Sequence, residues 1–171
     1  MVKVPDQDAL RPTGARVRET LFNWLAPEIE GARCLDLFAG SGVLGLEAAS
    51  RGAGRVVMID IDATVTSHLT QEATRLGSAG IEVLRQDAFE MLRVTHECFD
   101  IVFVDPPFRR GLVQKALTAL SGSGALADSA LLYIEIESTA DDPELPDGWA
   151  VHRDKCAGQV RFMLIRTGKK G

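Results

Sequence analysis

The run Asp105-Pro106-Pro107-Phe108 directly follows the apolar stretch Ile101–Val104. Two successive prolines remove two backbone donors and stiffen the turn, leaving carbonyl oxygens that can only accept. An exocyclic amine on a nucleobase is a poor nucleophile, because its lone pair is delocalised into the ring. Asp105 and the Pro106 carbonyl could accept its two N–H hydrogens and localise that lone pair toward an electrophile. Phe108 would stack on the base and hold it in line. The plainer alternative is a proline-rich loop with a capping Asp and a core Phe. Placement immediately behind a strand favours the chemical reading.

A second group lies upstream, in Asp36-Leu-Phe-Ala-Gly40-Ser-Gly42-Val-Leu-Gly45. Glycines at 40, 42 and 45 satisfy GxGxxG, in which a tight turn and a close ligand both need positions without a Cβ. Any glycine-rich strand-to-helix turn matches that pattern, so context decides. Here a strand precedes it, a helix follows, and Asp60 ends the next strand, where a carboxylate can accept from both hydroxyls of a ribose. Asp36 would be unwelcome beside a pyrophosphate, but it suits the cationic sulfonium and amino group of S-adenosylmethionine. Asp87, behind the third strand, is placed either to receive an adenine amino group or to cap a helix. Phe38 and Ala88, which flank Gly40 and Asp87 in sequence, complete the expected cofactor set. The sequence therefore predicts an S-adenosylmethionine site, with a dinucleotide-binding module as the alternative.

These residues need elements to position them. Short β-type runs cover Arg33–Phe38, Arg55–Ile59, Ile81–Arg85, Asp100–Val104 and Leu131–Ile136. Helix-like stretches, Val43–Arg51, Ala63–Leu76, Ala88–Val94 and Leu112–Leu120, lie between them. That alternation predicts a doubly wound α/β fold with a mostly parallel sheet. Ala15–Leu25 predicts an amphipathic helix before the first strand, with Thr13 a candidate cap behind Pro12. Trp149–Arg153 and Gln159–Arg166 predict a closing antiparallel hairpin turning near Ala157-Gly158. The expectation is one domain, with residues 1–30 forming an N-terminal segment and 31–171 the core.

A chain of 171 residues, 46% hydrophobic and 25% charged, matches an ordinary globular domain and excludes a disordered or collagen-like chain. The start lacks the basic flank and apolar core of a signal peptide, and no run is long enough to span a membrane. The three cysteines, Cys34, Cys98 and Cys156, are widely spaced, which points to a reducing cytoplasm and no zinc site. His68, His96 and His152 show no ligand-like spacing, so no metal is expected. The net charge of −5 hides segregation. From Ala150 onward, six basic residues face Asp154 alone, while Glu137, Asp141, Asp142, Glu144 and Asp147 gather just before them. A basic face on an acidic chain is compatible with a nucleic acid.

With these residues in view, Asp105-Pro-Pro-Phe and Asp36–Gly45 together resemble class I S-adenosylmethionine-dependent amino-methyltransferases. The block Arg11–Leu25, with CLDLFAGSGVLGLEAASRGA, FVDPPFRRG and Lys155-Cys-Ala-Gly-Gln-Val, resembles the RsmD family of bacterial 16S ribosomal RNA guanine-N2 methyltransferases. The DPPF motif is shared with adenine-N6 enzymes; the Arg-Pro-Thr block is more selective. The resemblance implies a seven-stranded Rossmann-like sheet and S-adenosylmethionine as methyl donor. It also implies catalytic roles for Asp105, Pro106 and Phe108. It places Arg11, Thr13, Arg16, Arg18, Arg109 and Arg110 along the RNA. The implied substrate is 16S rRNA within an assembling small subunit, modified by a cytoplasmic monomer. Family members begin with a further basic segment that these residues do not contain, so naked RNA is expected to be a poor substrate.

Overall fold

The computed structural model describes residues 12–107 and 111–169. Helix α1 (Pro12–Ile29) leads into β1 (Arg33–Asp36), α2 (Val43–Ser50), β2 (Arg55–Asp60), α3 (Ala63–Leu76) and β3 (Ile81–Arg85). Then follow α4 (Ala88–Val94), β4 (Phe99–Val104), α5 (Leu112–Ser121), β5 (Leu126–Glu137), β6 (Ala150–Ala157) and β7 (Val160–Arg166). The strands form one sheet in the order β3-β2-β1-β4-β5-β7-β6. The first five are parallel; β7 runs antiparallel to both β5 and β6. This is the doubly wound fold the alternation predicts.

Strand side chains alternate, so each strand feeds two apolar layers. Leu35, Val57, Val102 and Leu132 pack with α4 and α5 through Met91, Leu92, Leu117 and Leu120. Cys34, Val56, Phe103 and Tyr133 pack with α1, α2 and α3 through Leu21, Phe22, Leu44 and Leu69. Burial on both faces explains why these strands read as nearly continuous apolar runs. Local signals set the helix ends. Asp62 accepts from Thr64 N at 2.7 Å and Val65 N at 3.1 Å, and Gly77 closes α3 at φ +70°.

The order places β1 and β4 side by side, with the chain leaving them in opposite directions. Such a switch point opens a crevice at the carboxyl ends of the strands. Both motif loops, 37–42 and 105–107, start there.

Several boundaries differ from the sequence reading, and strand β6 runs on to Ala157, four residues past the expected Arg153. Helix α1 is longer, and Thr13 lies inside its first turn instead of capping it. Pro12 fits the first turn, where its missing N–H has no intrahelical partner to lose. Strand β1 stops at Asp36, so Leu37 and Phe38 belong to the loop, although Leu37 N still reaches Phe103 O at 3.1 Å. Strand β5 begins earlier, at Leu126, because an irregular register between Phe99 and Ile101 admits extra residues opposite β4. Among the described residues, no helix is long and apolar enough to cross a membrane.

Candidate active site

A cavity of about 550 Å³ occupies the switch point. Its walls come from the loop after β1, the ends of β2 and β3, and the loop after β4. Asp36, Phe38, Gly40, Asp60, Asp87, Ala88 and Asp105 all line it, so residues 69 positions apart in sequence meet in one space.

Asp60 is the hinge of the cofactor side. Its Oδ2 accepts from Gly40 N at 3.0 Å and its Oδ1 accepts from Asp62 N at 2.9 Å. One carboxylate thus ties the glycine loop to the start of α3, and its remaining lone pairs face the cavity. Gly40, at φ +53°, adopts the left-handed conformation, and a Cβ there would meet nothing within 4 Å. The glycine leaves the space in front of Asp60 to a ligand. Asp87 accepts from Glu90 N at 3.0 Å as the cap of α4 and also lines the cavity, so the cap reading holds and leaves room for the ligand reading. Phe38 and Phe89 meet edge to face at 6.0 Å, and the Lys115 ammonium lies 4.2 Å from the Phe89 ring centre.

Asp36 behaves differently. It is 1% exposed, and its Oδ2 accepts from Gly45 N at 3.0 Å, inside the first turn of α2. Burial, opposed by that hydrogen bond and helped by the charges of Asp105 and Asp60, raises its pKa to about 7. A dinucleotide pyrophosphate would seek the same helix N-terminus, where a carboxylate already accepts an amide. Four carboxyl groups around one cavity instead suit a ligand with positive charge and with hydroxyl and amine donors. S-adenosylmethionine has these, so the residues present fit it.

The buried carboxyl has a measurable consequence. The folded chain keeps the Asp36 proton above the pH at which the unfolded chain, with a value near 3.8, has lost it. The stability this contributes is complete below about pH 4 and is lost as pH rises through about 7, by about 4 kcal/mol at most. Glu28, Glu97, Asp100 and Asp154 are lowered, so their losses fall below the ordinary carboxylate range. Between about pH 5 and about pH 8, urea unfolding should therefore show the wild type weakening relative to Asp36→Asn. Parallel profiles would refute a proton held by Asp36.

Asp60→Ala removes both loop ties and the carboxylate expected to accept from a ribose. Losing hydrogen bonds to a charged acceptor costs roughly 1.5–3 kcal/mol, so S-adenosylhomocysteine affinity should fall about 10- to 150-fold. Calorimetric titration of the folded variant reads this directly, and unchanged affinity would remove Asp60 from the cofactor site.

One expected cradle residue faces elsewhere. Gly42 is buried, does not line the cavity, and is the N-cap of α2 at φ +82°. Its missing Cβ points at Leu69 and Met58, away from the ligand space. Pro107 lines the cavity and Pro106 is buried behind it. Arg16 is exposed and Arg18 half-buried on α1, and neither lines the cavity. Arg11, Phe108, Arg109 and Arg110 lie outside the described residues, as does the Thr13 side chain.

The sequence reading missed Ile61, Phe89 and Leu112, which add apolar wall. Ile61 could have been found from its place directly after Asp60, and the fold leaves it 64% exposed at the cavity wall. Among the described residues, no cluster of His, Cys, Asp or Glu is arranged to hold a metal ion.

The chain is similar to known proteins across its whole length. A family model described as "Conserved hypothetical protein 95" matches residues 1–166. The protein named ribosomal RNA small subunit methyltransferase D of Escherichia coli K12 is 47% identical over 98% of this chain and 85% of its own length. Its Haemophilus influenzae namesake is 40% identical over 96% and 86%. The solved structure of YhhF from Escherichia coli superposes with a TM-score of 0.86 at 46% identity, covering 91% of this chain and 88% of that one. A magnesium protoporphyrin IX methyltransferase from Synechocystis, solved with bound S-adenosylmethionine, shares the fold at a TM-score of 0.73 and 16% identity. It covers 98% of this chain and 86% of its own.

Proposed function

The chain belongs to the conserved hypothetical protein 95 family, and on that premise we propose that it is an S-adenosylmethionine-dependent ribosomal RNA methyltransferase. The acceptor we assign is the N2 amino group of a guanine in small-subunit RNA. The observation that carries the reading is the meeting of Asp60 and Asp87 with Asp105 and Pro107 in a single cavity. One end is equipped for a nucleoside and the other for an amine. The names borne by the Escherichia coli and Haemophilus influenzae relatives support RNA as the substrate. The guanine assignment follows the resemblance carried by the Arg11–Leu25 block.

When bound, S-adenosylmethionine supplies a methyl group on a positively charged sulfur. The protein's part is positioning and electrostatics. Asp60 accepts from the ribose hydroxyls through lone pairs that Gly40 and Asp62 leave available, and Asp87 accepts from the adenine amine. Asp36, once it gives up the proton it holds up to about pH 7, offsets the positive charge of the donor end. Asp105 accepts one N–H of the target amine and the Pro106 carbonyl accepts the other, holding the nitrogen lone pair toward the methyl group. Transfer would join the methyl group to the nitrogen lone pair that Asp105 and Pro106 orient, the departing thioether keeping the electrons of the bond it loses. The amine then releases a proton to Asp105 or to water.

Because the loop after β4 lines a cavity at the carboxyl ends of the central strands, the target base must leave its stack to reach it. Unpaired nucleotides in an assembling small subunit meet that need, and a cytoplasmic monomer suffices for the chemistry. The test is transfer of labelled methyl from S-adenosylmethionine to small-subunit particles and to protein-free rRNA, followed by nucleoside analysis. N2-methylguanosine is the expected product. Methylation of adenine would overturn the acceptor assignment, and no modified nucleoside would overturn the function.

A further inference from the structure

We propose that strand β6 and the adjoining flank of α1 form the track for the RNA phosphates leaving the active site, with Arg153 and Lys155 as its principal cations. The proposal rests on the RNA reading above and places the substrate on one side of the sheet.

Strand β6 ends the sheet order, and Ala150 through Cys156 are all exposed. Register fixes which way its side chains point. Arg153 pairs with Leu164 and Lys155 with Phe162, and both partners belong to the apolar layer under α1. Arg153 and Lys155 therefore share the α1 face, about 6.8 Å apart along the strand. Asp154, between them, projects to the other face, where Arg161 neutralises it at 2.7 Å.

Four of the cations without an acid gather on this face. Arg33, Arg51, Arg55, Arg161 and Arg166 are each held by a carboxylate, as are Arg75 and Arg93 on the outer helices. Among the described residues, Arg85 on β3, Lys115 on α5 and Lys169 after β7 have no acid at ion-pair distance, but they are scattered: Arg85 bonds Ile61 O and Lys115 covers the Phe89 ring. Arg16, Arg18, Arg153 and Lys155, also without an acid at that distance, lie together on α1 or on the α1 face of β6. The exposed acids Asp141, Asp142, Glu144 and Asp147 follow β5 in the segment whose Leu145 and Trp149 pack on the opposite layer. A polyanion is attracted to one face and repelled from the other.

The basic face lies beside the active site, with the half-buried Glu135, which accepts from Tyr133 OH, between them. Lys155 pairs with Phe162, and Phe162 with Glu135 of β5. Val104 pairs with Ile134, so Asp105 emerges beside Glu135. From Asp105 to Lys155 is three strand spacings, about 14 Å. Helix α1 lies along this path: Trp24 stacks on Phe162 at 5.1 Å, and Glu28 binds Arg166, the partner of Ala150 at the start of β6. The N-terminal turns of α1, with Arg16, therefore project toward the carboxyl edge.

Lysines on an edge strand also serve to prevent strand-to-strand aggregation, a role any charge fulfils. Charge reversal separates the two roles. Arg153→Glu with Lys155→Glu keeps a charged edge but repels phosphate. Binding of small-subunit RNA and methyl transfer should be measured for this pair and for Arg153→Lys with Lys155→Arg. The reversed pair should keep S-adenosylhomocysteine affinity and turnover at saturating RNA, while raising KM for RNA at least about tenfold. The slope of log affinity against log salt should shrink by about one to one and a half. The conservative pair should behave as wild type. Should glutamates disturb the edge, the alanine pair must still reduce the salt slope. An unchanged KM and slope in the reversed and alanine pairs would overturn the track. Salt-dependent binding by wild type without methyl transfer would instead overturn only the function it rests on.

Discussion

Asp105→Ala is expected to lower methyl transfer by about 10²-fold or more while leaving S-adenosylhomocysteine affinity nearly intact. The carboxylate lines the cavity on the other side of β1 from Asp60, just after the buried strand end Val104. Its proposed task is to accept an N–H of the target amine as positive charge develops there. The loss should therefore appear in the chemical step and not in cofactor binding. Asp105→Asn retains an oxygen acceptor but can also turn donors toward the amine, so its activity should fall between the two. Removing the Asp105 charge also takes away one cause of the raised Asp36 pKa, which should move that group downward. Single-turnover transfer with a saturating RNA substrate measures the effect. Wild-type turnover would reduce Asp105-Pro-Pro to a structural turn.

The second large effect falls on stability. Gly42→Val should destabilise the fold by about 2–5 kcal/mol, the sum of a left-handed backbone cost and overpacking. Gly42 sits at φ +82°, and a Cβ there would come within 2.4 Å of Leu69 Cδ2 and 2.9 Å of Met58 Cε. Both neighbours are buried, so neither can swing into solvent. Against a total stability of about 5–15 kcal/mol, that is enough to leave much of the protein unfolded on warming. Gly40→Ala provides the contrast. Its Cβ meets no protein atom, so the expected cost is about 1–2 kcal/mol, together with weaker S-adenosylhomocysteine binding. Urea midpoints and cofactor titrations of the two variants should thus diverge in opposite directions. A Gly42→Val protein as stable as wild type but poor in cofactor binding would return that glycine to the ligand's side.

The two glycines mark the boundary between what local sequence conveys and what it does not. GxGxxG identified a strand-to-helix turn needing left-handed backbone, because that requirement is local. Which glycine faces ligand and which faces core depends on Leu69 and Met58, which approach from α3 and β2. Asp36 shows the same division. Its unsuitability for a pyrophosphate was legible from charge, but its role at Gly45 N required the helix to fold back over β1. Asp87 was left between a cap and a ligand acceptor, and the fold allows both because the α4 N-terminus opens into the cavity.

By itself the sequence determined the alternation of strands and helices, the crossover architecture and the residue types gathered at the strand ends. Those follow from side-chain periodicity and turn chemistry, which act over a few residues. The tertiary structure alone decided which acids neutralise which arginines, and so which cations remain on the α1 face. Arg33 finds Asp100 and Arg166 finds Glu28 across the fold, whereas Arg153 and Lys155 find no acid among the described residues. Charge pairing depends on distance in space, and only the packed sheet and its helices set those distances.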